Sequence, residues 1–283
     1  MDKRGKRIFI YGVVAAGAFA VLFFLTFRER KVEHFWQPEV VAFGDSVFGV
    51  ERDETGVPEQ LAELLGKSVY NAALGGTCMA RLDAERRMDY PKGSLSLAGL
   101  TKSVWADDFN VQETNIARIR ESNTEYFAPT IRNLALVDFS RVEIVLMQQG
   151  INDYHAGVSI ENPEDPYDEY TFLGALRSSV RALRKANPEM RIVLVTPLYT
   201  WYNSLGQTCE EADQGGGILE EYVEAEIRAA QELDIEVIDM YHDFTPHEKW
   251  EDQELYMRDG IHLNVKGRNR MAQEIAAYLN EEE

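Results

Sequence analysis

Val40-Val41-Ala42-Phe43-Gly44-Asp45-Ser46 runs from four apolar residues into a glycine and two polar ones, the pattern of a buried strand that ends in a tight turn. Similar short apolar runs recur along the chain. Strands are predicted at 40–43, 69–73, 143–147, 191–196 and 236–239, separated by helical patterns at 58–65, 115–120, 127–136, 170–186, 218–233 and 265–279. In the stretch 170–186, Phe172, Leu173, Leu176, Val180 and Leu183 recur at helical spacing, with the arginines mostly on the other side. Strand and helix in alternation give a parallel sheet covered on both faces, with its site at the carboxyl ends of the strands.

Chemically useful residues fall just after these predicted strands. Ser46 follows the first, Gly75-Gly76 the second and Asn152 the third, while Asp259 and His262 precede the last helix. Gly44-Asp45-Ser46 could present a hydroxyl and a main-chain N–H to a carbonyl, or could simply cap a helix. Asp259-Gly260-Ile261-His262 sets a carboxylate three residues from an imidazole; the alternative is an Asp-Gly turn followed by an incidental histidine. Asn152, in Gly150-Ile151-Asn152-Asp153, could aim its amide at an oxyanion, and the Gly75-Gly76 pair could let substrate approach the main chain. Of the other histidines, His242 is flanked by Asp239 and Asp243.

Taken in order, Ser46, Gly76, Asn152 and His262 give the chain a pattern that resembles the SGNH hydrolases, also called the GDSL esterase/lipase family. The resemblance runs from about residue 40 to 279. It implies an α/β fold of three layers, α/β/α and flavodoxin-like, with a five-stranded parallel sheet of order 2-1-3-4-5. It also implies that Ser46 is the nucleophile, His262 the base and Asp259 its orienting partner, with Ser46, Gly76 and Asn152 lining an oxyanion hole and no metal or organic cofactor. The segment 77–141 is longer than a minimal member needs and is expected to form a lid or pocket wall.

The 283 residues carry a net charge of −19, unevenly spread. Seven Lys/Arg against two acids occupy 1–31, leaving 22 basic and 46 acidic residues in 32–283, a net of −24 that argues against nucleic acid as a partner. Residues 8–27 form an uncharged run of 20, long enough to cross a bilayer. They are expected to be an uncleaved transmembrane signal-anchor helix; a cleaved signal peptide ending near Ala18-Phe19-Ala20 is the competing reading. The expected organisation is a short basic cytoplasmic tail at 1–7, the helix at 8–27, a tether at 28–38 and the hydrolase domain at 39–283, held outside the membrane.

The two cysteines, Cys78 and Cys209, could form a disulfide or remain thiols. Tyr154 and Trp201, with Tyr199 and Tyr202, are placed near the rim, where aromatic rings could stack on a sugar, although packing beneath a loop is the plainer explanation. Arg81, Arg86 and Arg87 could meet an acidic group on a substrate or form a solvated face. The expected activity is a serine esterase removing a short acyl group, such as acetyl, from a glycan or other small acylated substrate. A lipase, a lysophospholipase or an O-acyltransferase would use the same residues, and a catalytically silent glycan-binding protein is the reading from another class.

Overall fold

Five of the apolar runs form strands, and every pairing among them is parallel. The computed structural model describes residues 37–82, 93–117, 119, 124–202, 204–247 and 250–281. Its main sheet comprises β1 (Val40–Gly44), β2 (Val69–Asn71), β3 (Ile144–Gln148), β4 (Arg191–Val195) and β5 (Glu236–Ile238), in the order β2-β1-β3-β4-β5. Val40 lies opposite Ile144, and Val145 opposite Ile192. A parallel sheet needs cover on both faces, which is why its strands read as continuous apolar runs rather than as alternation.

Successive side chains point to opposite faces and so feed two cores. Val41, Phe43, Val145, Met147, Ile192 and Leu194 pack into one cluster, with apolar side chains from helices on that face. Val40, Ala42, Leu146, Val193 and Val195 enter the other, where Leu61 and Met271, Ile275 and Leu279 close it. Phe43 is fully buried, which is worth roughly 1.5–3 kcal/mol for a side chain of its size.

The helices, in chain order, are α1 (Ser46–Gly49), α2 (Val57–Leu65), α3 (Leu97–Ala106), α4 (Asn110–Ile116), α5 (Phe127–Leu134), α6 (Ile151–Ala156), α7 (Phe172–Ala186), α8 (Leu219–Glu232), α9 (Met240–Asp243), α10 (Trp250–Tyr256) and α11 (Val265–Glu281). On one side of the sheet α2 packs on α11; on the other, α3 packs on α7 and α7 on α8. The hydroxyl of Thr171 accepts from Gly174 N–H to start α7, and Arg184 and Lys185 sit in its last turn, where the helix dipole favours cations. Its apolar stripe at 172, 173, 176, 180 and 183 is buried as predicted.

Some expectations need adjusting. β2 ends at Asn71 rather than at 73, although Ala72 N–H still reaches Ala42 O and Leu74 N–H reaches Gly44 O, both at 2.9 Å. The helix expected at 115–120 lies earlier, at Asn110–Ile116, and α3 is a helix beyond those the sequence predicts. Trp201–Tyr202 and Gln207–Thr208 add a small antiparallel ribbon after β4.

Of the two readings of the cysteines, the disulfide fails: Cys78 and Cys209 are both buried and are not bonded to each other. Cys209 Sγ accepts from Thr200 N–H at 3.4 Å and lies 3.7 Å from the Tyr241 hydroxyl, so it is committed to the packing beside β4. The tail, anchor and most of the tether (1–36), and Arg86 and Arg87, lie outside the described residues. Among the described residues no helix is long and apolar enough to cross a membrane.

Candidate active site

β1 delivers Ser46 to the carboxyl edge of the sheet through a turn that leaves little room for a side chain at position 44. A Cβ on Gly44 would lie 3.0 Å from Phe48 Cβ and 3.2 Å from Gln148 O. The helix-cap reading of this turn turns out to be true of the neighbouring residue: Asp45 Oδ1 accepts from Val47 N–H at 2.9 Å and caps α1. Ser46 is thereby spared that duty. Its Oγ instead lies 2.9 Å from His262 Nε2.

The loop before α11 brings His262 to this serine. Asp259 Oδ1 accepts from the main-chain N–H groups of Ile261 (3.0 Å) and His262 (2.7 Å), which folds the loop back on itself. Its Oδ2 lies 2.9 Å from His262 Nδ1. Gly260 carries φ +88°, and a Cβ there would meet Trp201 O at 2.4 Å, so glycine is required twice over. Burial works to raise the Asp259 pKa, but the hydrogen bonds from His262 and Ile261 outweigh it and hold the carboxyl below its ordinary value. An ionised carboxylate only accepts, so Nδ1 carries the proton; in the neutral ring Nε2 is then the bare nitrogen facing the Ser46 hydroxyl. Arg258 backs this arrangement, pairing with Glu51 at 3.1 Å and lying 3.7 Å from Asp259 Oδ2.

Two neighbours on α6 fix the opposite wall. Asn152 is buried and donates from Nδ2 to Thr77 O at 3.0 Å, which leaves its second amide hydrogen to point elsewhere. Asp153 accepts from Met79 N–H (2.7 Å) and Ala80 N–H (2.8 Å), tying the same loop to α6. Gly76 sits in that loop with φ +73°, the third position of a turn closed by Thr77 N–H on Leu74 O. Among the described residues neither Ser46 N–H nor Gly76 N–H is taken up by an internal partner. Gly150, which starts α6, needs φ +134°, and a Cβ on it would meet Pro197 at 2.8 Å.

Two buried carboxyls stand behind the site. Asp45 and Asp153 are each pushed up to about 7, first by burial, against the pull of main-chain N–H groups; for Asp45 the nearby Asp153 adds to the rise. Asp45 Oδ2 is buried with no hydrogen-bond partner among the described residues.

The aromatic rim is corrected. Tyr154 is fully buried, its hydroxyl donating to Ala212 O, and stands 6.0 Å from the Tyr222 ring. It is two residues past Asn152, about 200° round a helix, so it faces the core when Asn152 faces the site. Trp201 is 4% exposed and lies under the loop of residues 259–262, its main-chain N–H donating to Gly260 O at 3.1 Å. It supports Asp259 and His262 from below instead of offering a face to substrate. Tyr199 is buried against His247, with ring centroids 4.0 Å apart. Arg81 is engaged with Glu169. Gly260, a plain turn signal in sequence, is what the Trp201 contact requires; Asp153 stands in the Gly150–Asp153 motif without a role that the sequence assigns, and nothing local marks Arg258.

The arrangement can perform acyl transfer. His262 would take the Ser46 proton as Oγ attacks a carbonyl carbon, three N–H donors would meet the developing oxyanion, and the same imidazolium would protonate the leaving alcohol. Among the described residues no group of three or more His, Cys, Asp or Glu could hold a metal ion.

Comparison with known proteins gives a family match and a shared fold. The model of the GDSL-like lipase/acylhydrolase family matches residues 42–270. No protein of curated function matches the sequence. Among solved structures, a protein from Lactobacillus plantarum superposes with a TM-score of 0.58 at 15% identity, covering 87% of this chain and 98% of its own. A possible lipase from Chitinophaga pinensis gives 0.56 at 19%, covering 86% and 97%. Est24, a carbohydrate acetylesterase from Sinorhizobium meliloti, gives 0.52 at 14%, covering 87% and 99%. At these identities the likeness is one of fold.

Proposed function

Because the chain belongs to the GDSL-like lipase/acylhydrolase family, we propose that it is a serine ester hydrolase in which Ser46 attacks, His262 moves the proton and Asp259 orients His262. The observation that carries the reading is the unbroken relay from Ser46 Oγ to His262 Nε2 and from Nδ1 to Asp259 Oδ2, 2.9 Å at each step. Ser46 N–H, Gly76 N–H and Asn152 Nδ2 serve as oxyanion donors. After the alcohol leaves, water takes its place, loses a proton to His262 and frees the acyl group as an acid.

The proposed substrate is a short-chain acyl ester, such as an acetyl ester, of a carbohydrate. Support comes from the shared fold with a carbohydrate acetylesterase, and from the net −24 of residues 32–283, which suits a neutral or cationic substrate better than an anionic one. Rim aromatics no longer contribute, since Tyr154 and Trp201 are buried. Acetylated sugars and p-nitrophenyl esters of increasing chain length, offered to the full chain, test this: acetyl should be preferred, and preference for long chains would replace the carbohydrate reading with a lipid one. We further propose that residues 8–27 anchor the domain outside the membrane. Fractionation tests it, with the full chain expected to resist alkaline extraction and a chain beginning at residue 39 expected in the soluble fraction.

A further inference from the structure

The turn that carries Gly76 is held from a direction that the triad does not explain. Within it, the peptide between Leu74 and Gly75 is pinned at both ends. Its carbonyl accepts from Thr77 N–H (3.3 Å) and Thr77 Oγ1 (2.6 Å), and its N–H donates to Tyr126 Oη at 2.7 Å. The next N–H along the chain is that of Gly76. With the preceding peptide fixed and Gly76 at φ +73°, the direction of the Gly76 N–H has little freedom left.

Tyr126 is itself held by Arg52, whose guanidinium carbon lies 4.5 Å from the ring centroid. The same guanidinium donates to three carbonyls: Gly49 O from Nε at 3.0 Å, Asn71 O from Nη1 at 3.1 Å, and Ala73 O from Nη2. Gly49 ends α1, the helix that begins at Ser46, whereas Asn71 and Ala73 lead into the Gly75-Gly76 turn. One planar cation thus joins the helix of the nucleophile to the strand end of the oxyanion donor, with a fork that a lysine could not reproduce. The glycines at the join are needed for closeness: a Cβ on Gly49 would lie 3.2 Å from Ala73 C and O and 3.3 Å from Tyr126 Oη, and one on Gly75 would lie 2.8 Å from Tyr126 Oη and 3.7 Å from Ser46 Cβ.

We propose that Arg52 and Tyr126 are positioning residues for the oxyanion site: together they fix the turn of Gly75 and Gly76 relative to Ser46, so that the Gly76 and Ser46 N–H groups converge on one oxygen. This rests on the ester-hydrolase reading above. It also gives the long segment between the second and third motifs a task, since Tyr126 comes from it. Because the brace acts on donors that matter only when the oxyanion forms, its loss should be felt in the transition state and not in substrate binding.

Tyr126→Phe removes the acceptor and keeps the ring. With p-nitrophenyl acetate as substrate, kcat should fall about tenfold to a hundredfold, the scale of a misplaced donor, with KM unchanged. Affinity for a boronic acid, which forms a tetrahedral adduct on a serine, should weaken in proportion to kcat. Unchanged kcat, or a loss matched by a rise in KM with boronate affinity intact, would overturn the proposal.

Gly75→Ala provides a second route: at Gly75 the nearest obstacle to a Cβ is the Tyr126 hydroxyl. The variant should lose kcat, and Tyr126→Phe combined with Gly75→Ala should be no slower than the slower single variant; multiplied losses would contradict the shared mechanism. Hydrogen exchange at the Gly75 amide needs no turnover. It should be protected in the wild type and at least about tenfold faster in Tyr126→Phe, as expected for an amide whose acceptor is gone. Equal exchange in both proteins rejects the brace whatever the enzyme does, whereas a wild type that labels no serine and cleaves no ester rejects only the hydrolase reading.

Discussion

Asp259 with His262 and Asp239 with His242 are two copies of one local device. In each, an aspartate accepts through Oδ1 from the main-chain N–H groups two and three residues on, at 3.0 and 2.7 Å in the first and 3.1 and 3.1 Å in the second. In each, Oδ2 meets the histidine Nδ1, at 2.9 and 2.7 Å. They part at the far side of the ring: His262 Nε2 faces a serine hydroxyl at 2.9 Å, and His242 Nε2 faces Glu224 Oε1 at 3.8 Å. An oriented imidazole is therefore a product of four residues of sequence, and it becomes a general base only through what the fold sets against Nε2.

The widest gap between the two copies should appear on removing the serine or the base. Ser46→Ala or His262→Ala should lower kcat by about 10⁶, as loss of a nucleophile or its base does in a triad that acts as a unit. His242→Ala should leave kcat unchanged, and a comparable loss there would erase the distinction. The aspartates come next. Asp259→Asn should cost about 10⁴ in kcat by spoiling the tautomer, and Asp239→Asn should cost nothing in steady-state assays on the same ester. A donor with no equivalent beside His242 gives a smaller effect: Asn152→Ala should reduce kcat by roughly 10² to 10³, and a loss below tenfold would remove Asn152 from the oxyanion site.

Stability provides the smallest contrast, and its sign is definite. Asp45 is pushed up to about 7 from 3.8, so between those values the folded chain keeps a proton that the unfolded chain has released. What protonated Asp45 contributes is full below 3.8 and declines as pH rises to about 7. Asp45→Asn keeps the cap on Val47 N–H and removes the titration. Its urea midpoint should exceed that of the wild type near about pH 8 and converge with it near about pH 4. Asp259, held below its ordinary value, has the opposite sign: its contribution is present above the unfolded value and is lost as pH falls through the folded one. A midpoint for Asp45→Asn below the wild type at high pH would reverse the assignment.

Much of this was legible because it is local. Parallel strands buried on both faces read as unbroken apolar runs, and each chemical motif spans only two to four residues, three of them just past a strand and the fourth just before the last helix. The rest depends on rotation or on distance. Tyr154 follows Asn152 so closely in sequence that both seem placed at the rim, yet two steps of a helix send one inward and one out. Trp201 sits on a short ribbon and meets Gly260, 59 positions away, through its main chain and ring. Cys78 and Cys209 match in number, but a count carries no coordinates. Arg52 and Tyr126 are 74 positions apart, and besides their own contact each works on main-chain atoms that no side-chain pattern advertises. α3 has a legible start, since Ser96 caps it by accepting from Gly99 N–H, but Leu97, Leu100 and Val104 are buried together with Gly99, Thr101 and Ser103, so no clean apolar stripe marks it.

The central claim is that Ser46, alone among the serines, is made nucleophilic by His262. Intact-mass and peptide mass spectrometry after fluorophosphonate treatment test it most directly. The account predicts a single adduct on Ser46, abolished in His262→Ala and retained in His242→Ala; an adduct on any other residue, or one that survives loss of His262, would contradict it.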